Sequence, residues 1–137
     1  MNYLLDTATW INSVKEPETL PHRIRAWLKD ATSHTFSLAD VSLLEASFLA
    51  RKGKVDFGMA FRDWLALALA GDLTVLPITA TVAALEHELP RTFQGDPADR
   101  LIAATAKAHG LTLITPDAAI AFHDVVSVVR YHWHPRH

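Results

Sequence analysis

The sequence predicts an α/β protein, a three-layer α/β/α sandwich around a mainly parallel central sheet. Two observations carry that expectation. Short apolar runs bounded by turn residues alternate with stretches of helical spacing along the whole chain, which is the pattern of a parallel sheet with crossover helices. In addition, 137 residues without internal repeat or low-complexity segment fit one domain with a core large enough to fold unaided.

Taken in order, residues 2–5 read as a buried first strand. Glu16-Pro17-Glu18-Thr19 is a loop, and Leu20 to Asp30 has helical spacing through Ile24, Trp27 and Leu28. Thr35 to Leu38 is a second strand. Val41, Leu44, Phe48 and Leu49 then recur at helical spacing up to Arg51-Lys52-Gly53-Lys54, where basic residues and a glycine mark a helix end. A further amphipathic helix is expected from Phe57 to Ala70, then a strand from Leu73 to Ile78 and a short helix from Ala80 to Glu88. After a loop from Arg91 to Gly95, a helix over Asp99 to His109 stops at Gly110, and Leu111 to Thr115 is a strand. A helical turn from Asp117 and a last strand at Val125 to Val129 complete a domain over 1–130, leaving 131–137 as a polar tail.

Composition excludes several classes. Half the residues are hydrophobic and a fifth are charged, ordinary values for a globular protein, and the absence of cysteine rules out disulfides and thiolate metal sites. That suits a reducing compartment, and a cytoplasmic location is expected: the N-terminus lacks the pattern of a signal peptide, and no apolar run approaches the roughly 20 residues of a membrane helix. A formal net charge of −2 gives no global attraction for nucleic acid, so any such contact must use a local basic edge.

Four acidic residues stand at the ends of apolar runs or at helix starts: Asp6, Glu45, Asp99 and Asp117. Each alone has an ordinary structural explanation. Asp6 can cap a helix beginning at Thr7, Glu45 can close a capping box with Ser42, and Asp117 can cap the turn after Pro116. Asp96 can cap a helix that begins at Pro97, with the helix dipole favouring Asp99 in its first turn. As a set they are harder to explain. In a parallel α/β sheet the strand carboxyl ends and following helix starts share one edge, so these carboxylates can converge there. Glu45 falls on the side of its helix that should face the core, with no lysine or arginine within one turn, and a bare buried carboxylate costs several kcal/mol. Carboxylates forced together raise each other's pKa, and Mg²⁺ or Mn²⁺ relieves that repulsion through oxygen ligands. Such a centre suits phosphodiester hydrolysis.

The residues carrying this pattern resemble a known family. Leu4-Leu5-Asp6-Thr7, Val41-Ser42-Leu43-Leu44-Glu45 with the following Arg51-Lys52-Gly53-Lys54, Asp96-Pro97-Ala98-Asp99-Arg100-Leu101-Ile102-Ala103-Ala104-Thr105-Ala106, and Leu111-Thr112-Leu113-Ile114-Thr115-Pro116-Asp117 occur in the order found in PIN-domain ribonucleases. The chain is most similar to the VapC-like toxins of bacterial toxin–antitoxin pairs. Each piece alone is a weak signal; the four in order span residues 4 to 117 and are specific. The resemblance implies a PIN-like fold and a Mg²⁺- or Mn²⁺-dependent endoribonuclease with Asp6, Glu45, Asp99 and Asp117 as its metal-binding quartet. It also implies a small hydroxyl residue near the metal, here Thr115, a homodimer, and a small cognate antitoxin that often inserts an arginine near the metal. Of the two acids in the Asp96–Asp99 segment, Asp99 is the expected ligand and Asp96 the helix cap.

One departure is that PIN toxins commonly show a basic surface, whereas this chain is slightly acidic. Arg51, Lys52, Lys54, Arg91 and Arg100 are the cations near the expected edge, each more ordinarily a solvated surface residue; Arg100, next to Asp99, is the best candidate for a substrate contact. The eight histidines lack the H-E-x-x-H spacing of zinc hydrolases, and those near the C-terminus read as part of a frayed tail. Trp10, Trp27 and Trp64 sit on apolar helical faces and are expected in the core or a dimer interface. Two other classes compete. A haloacid-dehalogenase-type phosphatase would want an aspartate where Ala8 stands, and a glycine-rich phosphate loop is missing. A non-catalytic partner-binding module would have no need of the complete quartet.

Overall fold

The first strand, β1 (Asn2–Leu5), lies in the middle of the sheet, and that placement decides where a site can form. The computed structural model describes residues 1–93, 96–117 and 126–132. From β1 the chain runs through α1 (Thr7–Lys15), a 3₁₀ turn (Pro17–Thr19) and α2 (His22–Lys29) to β2 (Thr35–Ala39). Then follow α3 (Val41–Arg51), α4 (Phe61–Ala68), β3 (Leu73–Leu76), α5 (Ala80–Glu88), α6 (Pro97–His109), β4 (Thr112–Thr115) and β5 (Val128–Arg130). The strand order is β3-β2-β1-β4-β5, and every neighbouring pair is parallel. The chain therefore builds outward from β1 on one side, then crosses to add β4 and β5 on the other. The gap between the carboxyl ends of β1 and β4 is the topological switch point, where open α/β sheets form their crevice.

Alternation along the strands sorts the core into two layers, as a period of two requires. Tyr3, Leu5, Leu38 and Ile114 join Trp10, Ile11, Ile24, Ala46 and Trp64 in one cluster; Leu4, Ala39 and Leu113 join Ile102, Ala103 and Ala106 in the other. Trp10 and Trp64 are buried, with ring centroids 5.1 Å apart, while half-buried Trp27 stacks on Tyr3 at 5.2 Å. The small alanine face of α6 lets that helix lie close to the sheet, with Ile102, Ala103, Ala104 and Ala106 all inaccessible to solvent.

The expected three-layer architecture is found, with local differences that have identifiable causes. The helix expected over 57–70 is confined to Phe61–Ala68. Gly58 adopts φ +72, and its amide donates to Asp56 Oδ1 at 2.8 Å, so residues 56–58 form a turn instead of a helical start. The loop over 16–19 contains the 3₁₀ turn. The expected tail loses its first member to the core: Tyr131 is 3 % exposed, and its hydroxyl is 2.8 Å from Thr9 Oγ1. The last strand begins at Val128; residue 125, the turn expected after Asp117 and most of the tail lie outside the described residues. No described helix is long and apolar enough to cross a membrane.

Candidate active site

Asp6 ends β1 and begins α1. In extended backbone (φ −73, ψ 172) it is the N-cap of α1, with Oδ1 accepting from the Thr9 amide at 2.8 Å. The parallel register that sets Leu5 beside Ile114 sets Asp6 beside Thr115, and the Asp6 amide donates to Ile114 O at 3.2 Å. Thr115 Oγ1 then donates to Asp6 Oδ2 at 2.5 Å and accepts from the Asp117 amide at 3.0 Å. One hydroxyl thus ties together the ends of β1 and β4. Asp6 is only 6 % exposed. Burial raises its pKa, the hydrogen bonds from Thr115 and Thr9 oppose that, and the charge of Asp117 adds to it.

Glu45 approaches from α3. That helix begins at Val41, so Ser42 lies inside the first turn and does not form a capping box with Glu45, the alternative that the S-x-x-E spacing offered. Both side chains instead meet Thr7 at the start of α1: Thr7 Oγ1 donates to Glu45 Oε1 and lies 2.8 Å from Ser42 Oγ. A hydroxyl has one proton, so if Thr7 gives it to Glu45, Ser42 must donate to Thr7. Glu45 is half-buried, and burial raises its pKa, with the charges of Asp96 and Asp6 adding to the effect against the Thr7 hydrogen bond.

Asp99 lies in the first turn of α6, whose N-cap is Asp96: Oδ1 of Asp96 accepts from the Asp99 amide at 2.9 Å. The Asp99 carboxyl is pushed up from 3.8 to about 7, first by burial and then by the charges of Asp96, Asp117, Glu45 and Asp6. A cavity of about 280 Å³ is lined by Asp6, Thr7, Ala8, Glu45, Leu49, Asp99, Pro116 and Asp117. All four carboxylates singled out in the sequence therefore line one space, and among the described residues no lysine, arginine or histidine lines it with them.

This donor set fits Mg²⁺ or Mn²⁺ in chemistry and charge: every acidic ligand offers hard oxygen, and their mutual repulsion calls for a cation. As placed, no three acidic or histidine side chains among the described residues stand close enough to share one ion, so binding would have to draw them together.

The PIN domain family model matches residues 3–126. The chain belongs to the PIN-domain family. It is 36% identical over 118 residues to Ribonuclease VapC22 of Mycobacterium tuberculosis, covering 85% of this chain and 83% of that protein. Among solved structures, VapBC2 from Rickettsia felis bound to a DNA fragment from their promoter matches with a TM-score of 0.73 at 19% identity, covering 96% of this chain and 99% of that one. VapBC-5 from Mycobacterium tuberculosis, a member of the VapBC family of toxin-antitoxin systems, matches with a TM-score of 0.61 at 21% identity, over 95% of this chain and 98% of that one.

Within this PIN domain Arg100 has a different position from the one expected. Its Nε donates to Glu86 Oε1 at 2.8 Å, Nη2 to Glu86 O at 3.0 Å and Nη1 to Phe93 O at 3.3 Å. The guanidinium thus closes the C-terminal end of α5 and ties the following loop to α6, and it does not line the carboxylate cavity. Thr7 and Ser42 are the site residues that sequence reasoning missed. The signal that could have found them was their position: Thr7 directly follows Asp6, and Ser42 sits one turn before Glu45 in a spacing that also reads as a capping box.

Proposed function

We propose that this chain is a divalent-metal-dependent endoribonuclease, the toxin of a toxin–antitoxin pair. The observation that carries the reading is the carboxylate cavity at the switch point, which gathers Asp6, Glu45, Asp99 and Asp117 with no cationic side chain among the described residues. Membership of the PIN family and the similarity to a ribonuclease support the nature of the reaction. Asp6, Glu45, Asp99 and Asp117 would hold Mg²⁺ or Mn²⁺. When bound, such an ion lowers the pKa of a coordinated water and offsets the charge that develops on a phosphate. The protein's own part is preorganisation. Thr115 fixes the orientation of the Asp6 carboxylate, and Thr7 fixes that of Glu45. Asp99, titrating at about 7, can hold a proton that a cation must displace.

The proposed partners are an RNA substrate, a small cognate antitoxin and a second copy of this chain in a homodimer. Leu67 and Met59, 63% and 48% exposed, leave apolar surface beside α4 that suits a second subunit or the antitoxin. On this reading the protein acts in the cytoplasm.

The test is cleavage of a mixed-sequence fluorogenic RNA panel with Mg²⁺ or Mn²⁺, with EDTA and Asp6→Asn as controls. Metal-dependent cleavage lost in both controls is expected. No cleavage, together with no metal-induced rise in Tm, would leave a PIN fold that serves only to bind a partner.

A further inference from the structure

A second cavity, of about 240 Å³, adjoins the carboxylate cavity and shares Glu45 and Leu49 with it. Its other lining residues are Phe48, Lys52, Lys54 and Asp96. The end of α3 explains how these side chains reach one rim. Glu45, Phe48 and Lys52 follow one another at helical spacing along a single face. Gly53 then adopts φ +69, the Gly53 amide donates to Ala50 O at 3.1 Å and the Lys54 amide to Leu49 O at 2.9 Å. That pair of bonds is a Schellman closure, and it turns Lys54 back toward the same cavity as Lys52. Among the described residues the one ion pair is Arg100 with Glu86, so neither ammonium is engaged by a carboxylate there.

The helix dipole accounts for cations at the C-terminal end of α3. It does not account for Phe48, a large ring left 40% exposed that lines the same cavity as those cations and Glu45, with the Arg51 guanidinium 5.0 Å from its centroid. An aromatic face beside two unpaired ammonium groups is what a single nucleic-acid strand needs, one feature for a base and the other for a phosphate. Continuity with the carboxylate cavity gives the strand a direction, from the reacting phosphate outward along α3.

We infer that Phe48, Lys52 and Lys54 form a nucleotide subsite, in which a base of single-stranded RNA stacks on Phe48 and a flanking phosphate lies between the two ammonium groups. This rests on the ribonuclease reading for its substrate. It places the local basic edge, which an acidic chain needs, at the end of α3 and not at Arg100.

The experiment measures binding of a labelled mixed-sequence RNA of about 10 nucleotides by fluorescence anisotropy across a salt series. It uses the full chain carrying Asp99→Asn so that binding is read without cleavage. The double variant Lys52→Gln/Lys54→Gln is expected to bind about tenfold more weakly at low salt. Its slope of log affinity against log salt should fall by about 1.4, roughly 0.7 for each lysine that no longer neutralises phosphate charge on a single strand. Phe48→Ala is expected to weaken binding about tenfold with the slope unchanged. Lys107→Gln, the same charge change near the far end of α6, should alter neither quantity. Unchanged affinity and slope in the lysine variant overturn the subsite, as does failure of the protein to bind RNA at all. If the same variants keep RNA binding and instead lose a protein partner, the surface is a protein-docking face and the inference falls. Cleavage by the chain with Asp99 intact separates the two readings. RNA cut normally by the lysine variant rejects the subsite alone, while subsite-dependent binding without any metal-dependent cleavage rejects the nuclease alone.

Discussion

The starts of α1 and α6 carry the same local chemistry in different surroundings. Asp6 and Asp96 have nearly the same backbone angles, φ −73, ψ 172 and φ −69, ψ 172, and each accepts a hydrogen bond from the amide three residues on, at 2.8 and 2.9 Å. Only Asp6 is buried, and only Asp6 has its second oxygen tied to another strand, through Thr115. Asp96 stays on an exposed rim. Helix capping and site formation are therefore not competing explanations of a carboxylate. Capping fixes one oxygen, and tertiary position decides what the other oxygen meets.

The largest expected contrast is in activity. Asp6→Asn should lower RNA cleavage by at least about 100-fold, since losing even a hydrogen-bond partner of a metal ligand costs about 10–100-fold. Asp96→Asn should stay within about twofold, because asparagine caps a helix as well as aspartate. Initial rates on one RNA substrate at saturating Mg²⁺ check both. Equal losses would mean that the α6 cap itself belongs to the reacting centre.

Thr115→Val sharpens the comparison by making Asp6 more like Asp96. Valine keeps the volume and suits a strand, but it removes the proton given to Asp6 Oδ2 and the acceptor of the Asp117 amide. The expected results are a loss of about 1–3 kcal/mol in stability and about 10–100-fold in cleavage. A fully active, fully stable variant would make Thr115 a mere filler of β4. Denaturant melts and the same rate assay decide.

The difference between these two regions also shows what the sequence could reveal. Strand–helix alternation and the Asp-Pro start of α6 were legible because apolar period, caps and helix stops are local. The four carboxylates were legible as a set because Asp6 and Asp117 sit just after strands, Glu45 on the helix that follows β2 and Asp99 at the start of a helix marked by Asp-Pro. Three things were not. Gly58 looks like an ordinary residue of an amphipathic stretch until its positive φ breaks the helix. The Ser42–Glu45 spacing reads as a capping box unless the helix start is known to one residue, and Thr7, which engages both, is 35 residues away from Ser42. Arg100 is adjacent to Asp99 in sequence, yet α5, packed against α6, offers it a row of carbonyls.

Asp99 distinguishes the two helix starts by pH. Its carboxyl titrates at about 7 in the folded protein against an ordinary 3.8, so between those values the native state holds a proton that the unfolded chain has lost. Native stability is therefore lost as pH rises through that window, and the penalty is complete above about pH 7. The group is partly exposed, so solvent screening reduces the size of the effect. Metal-free Asp99→Asn should melt a few degrees above the parent at about pH 8, by roughly 3 °C for each kcal/mol relieved, and the gap should close toward about pH 4. A lower Tm at about pH 8 would show that Asp99 serves as a structural residue. For the parent chain, Mg²⁺ affinity should rise across the same window, with proton release visible by calorimetry in buffers of different ionisation enthalpy.

The smallest effects belong to Asp96, where two substitutions separate its cap from its charge. Asp96→Ala removes the acceptor of the Asp99 amide, which costs about 1 kcal/mol and should lower Tm by about 3 °C. Asp96→Asn keeps an acceptor in place, so Tm at about pH 4 should be unchanged. Both variants remove a negative charge that raises the pKa of Asp99 and of Glu45, so both should move the Asp99 titration below about 7. In metal-free protein at about pH 8, Asp96→Asn should therefore be slightly more stable than the parent, while Asp96→Ala sets relief of repulsion against loss of the cap. Thermal melts of the three proteins at the two pH values resolve this. If Asp96→Asn shifts nothing at about pH 8, the charge at the α6 cap is screened from the cavity, and the pKa of Asp99 is set by burial and the other three carboxylates.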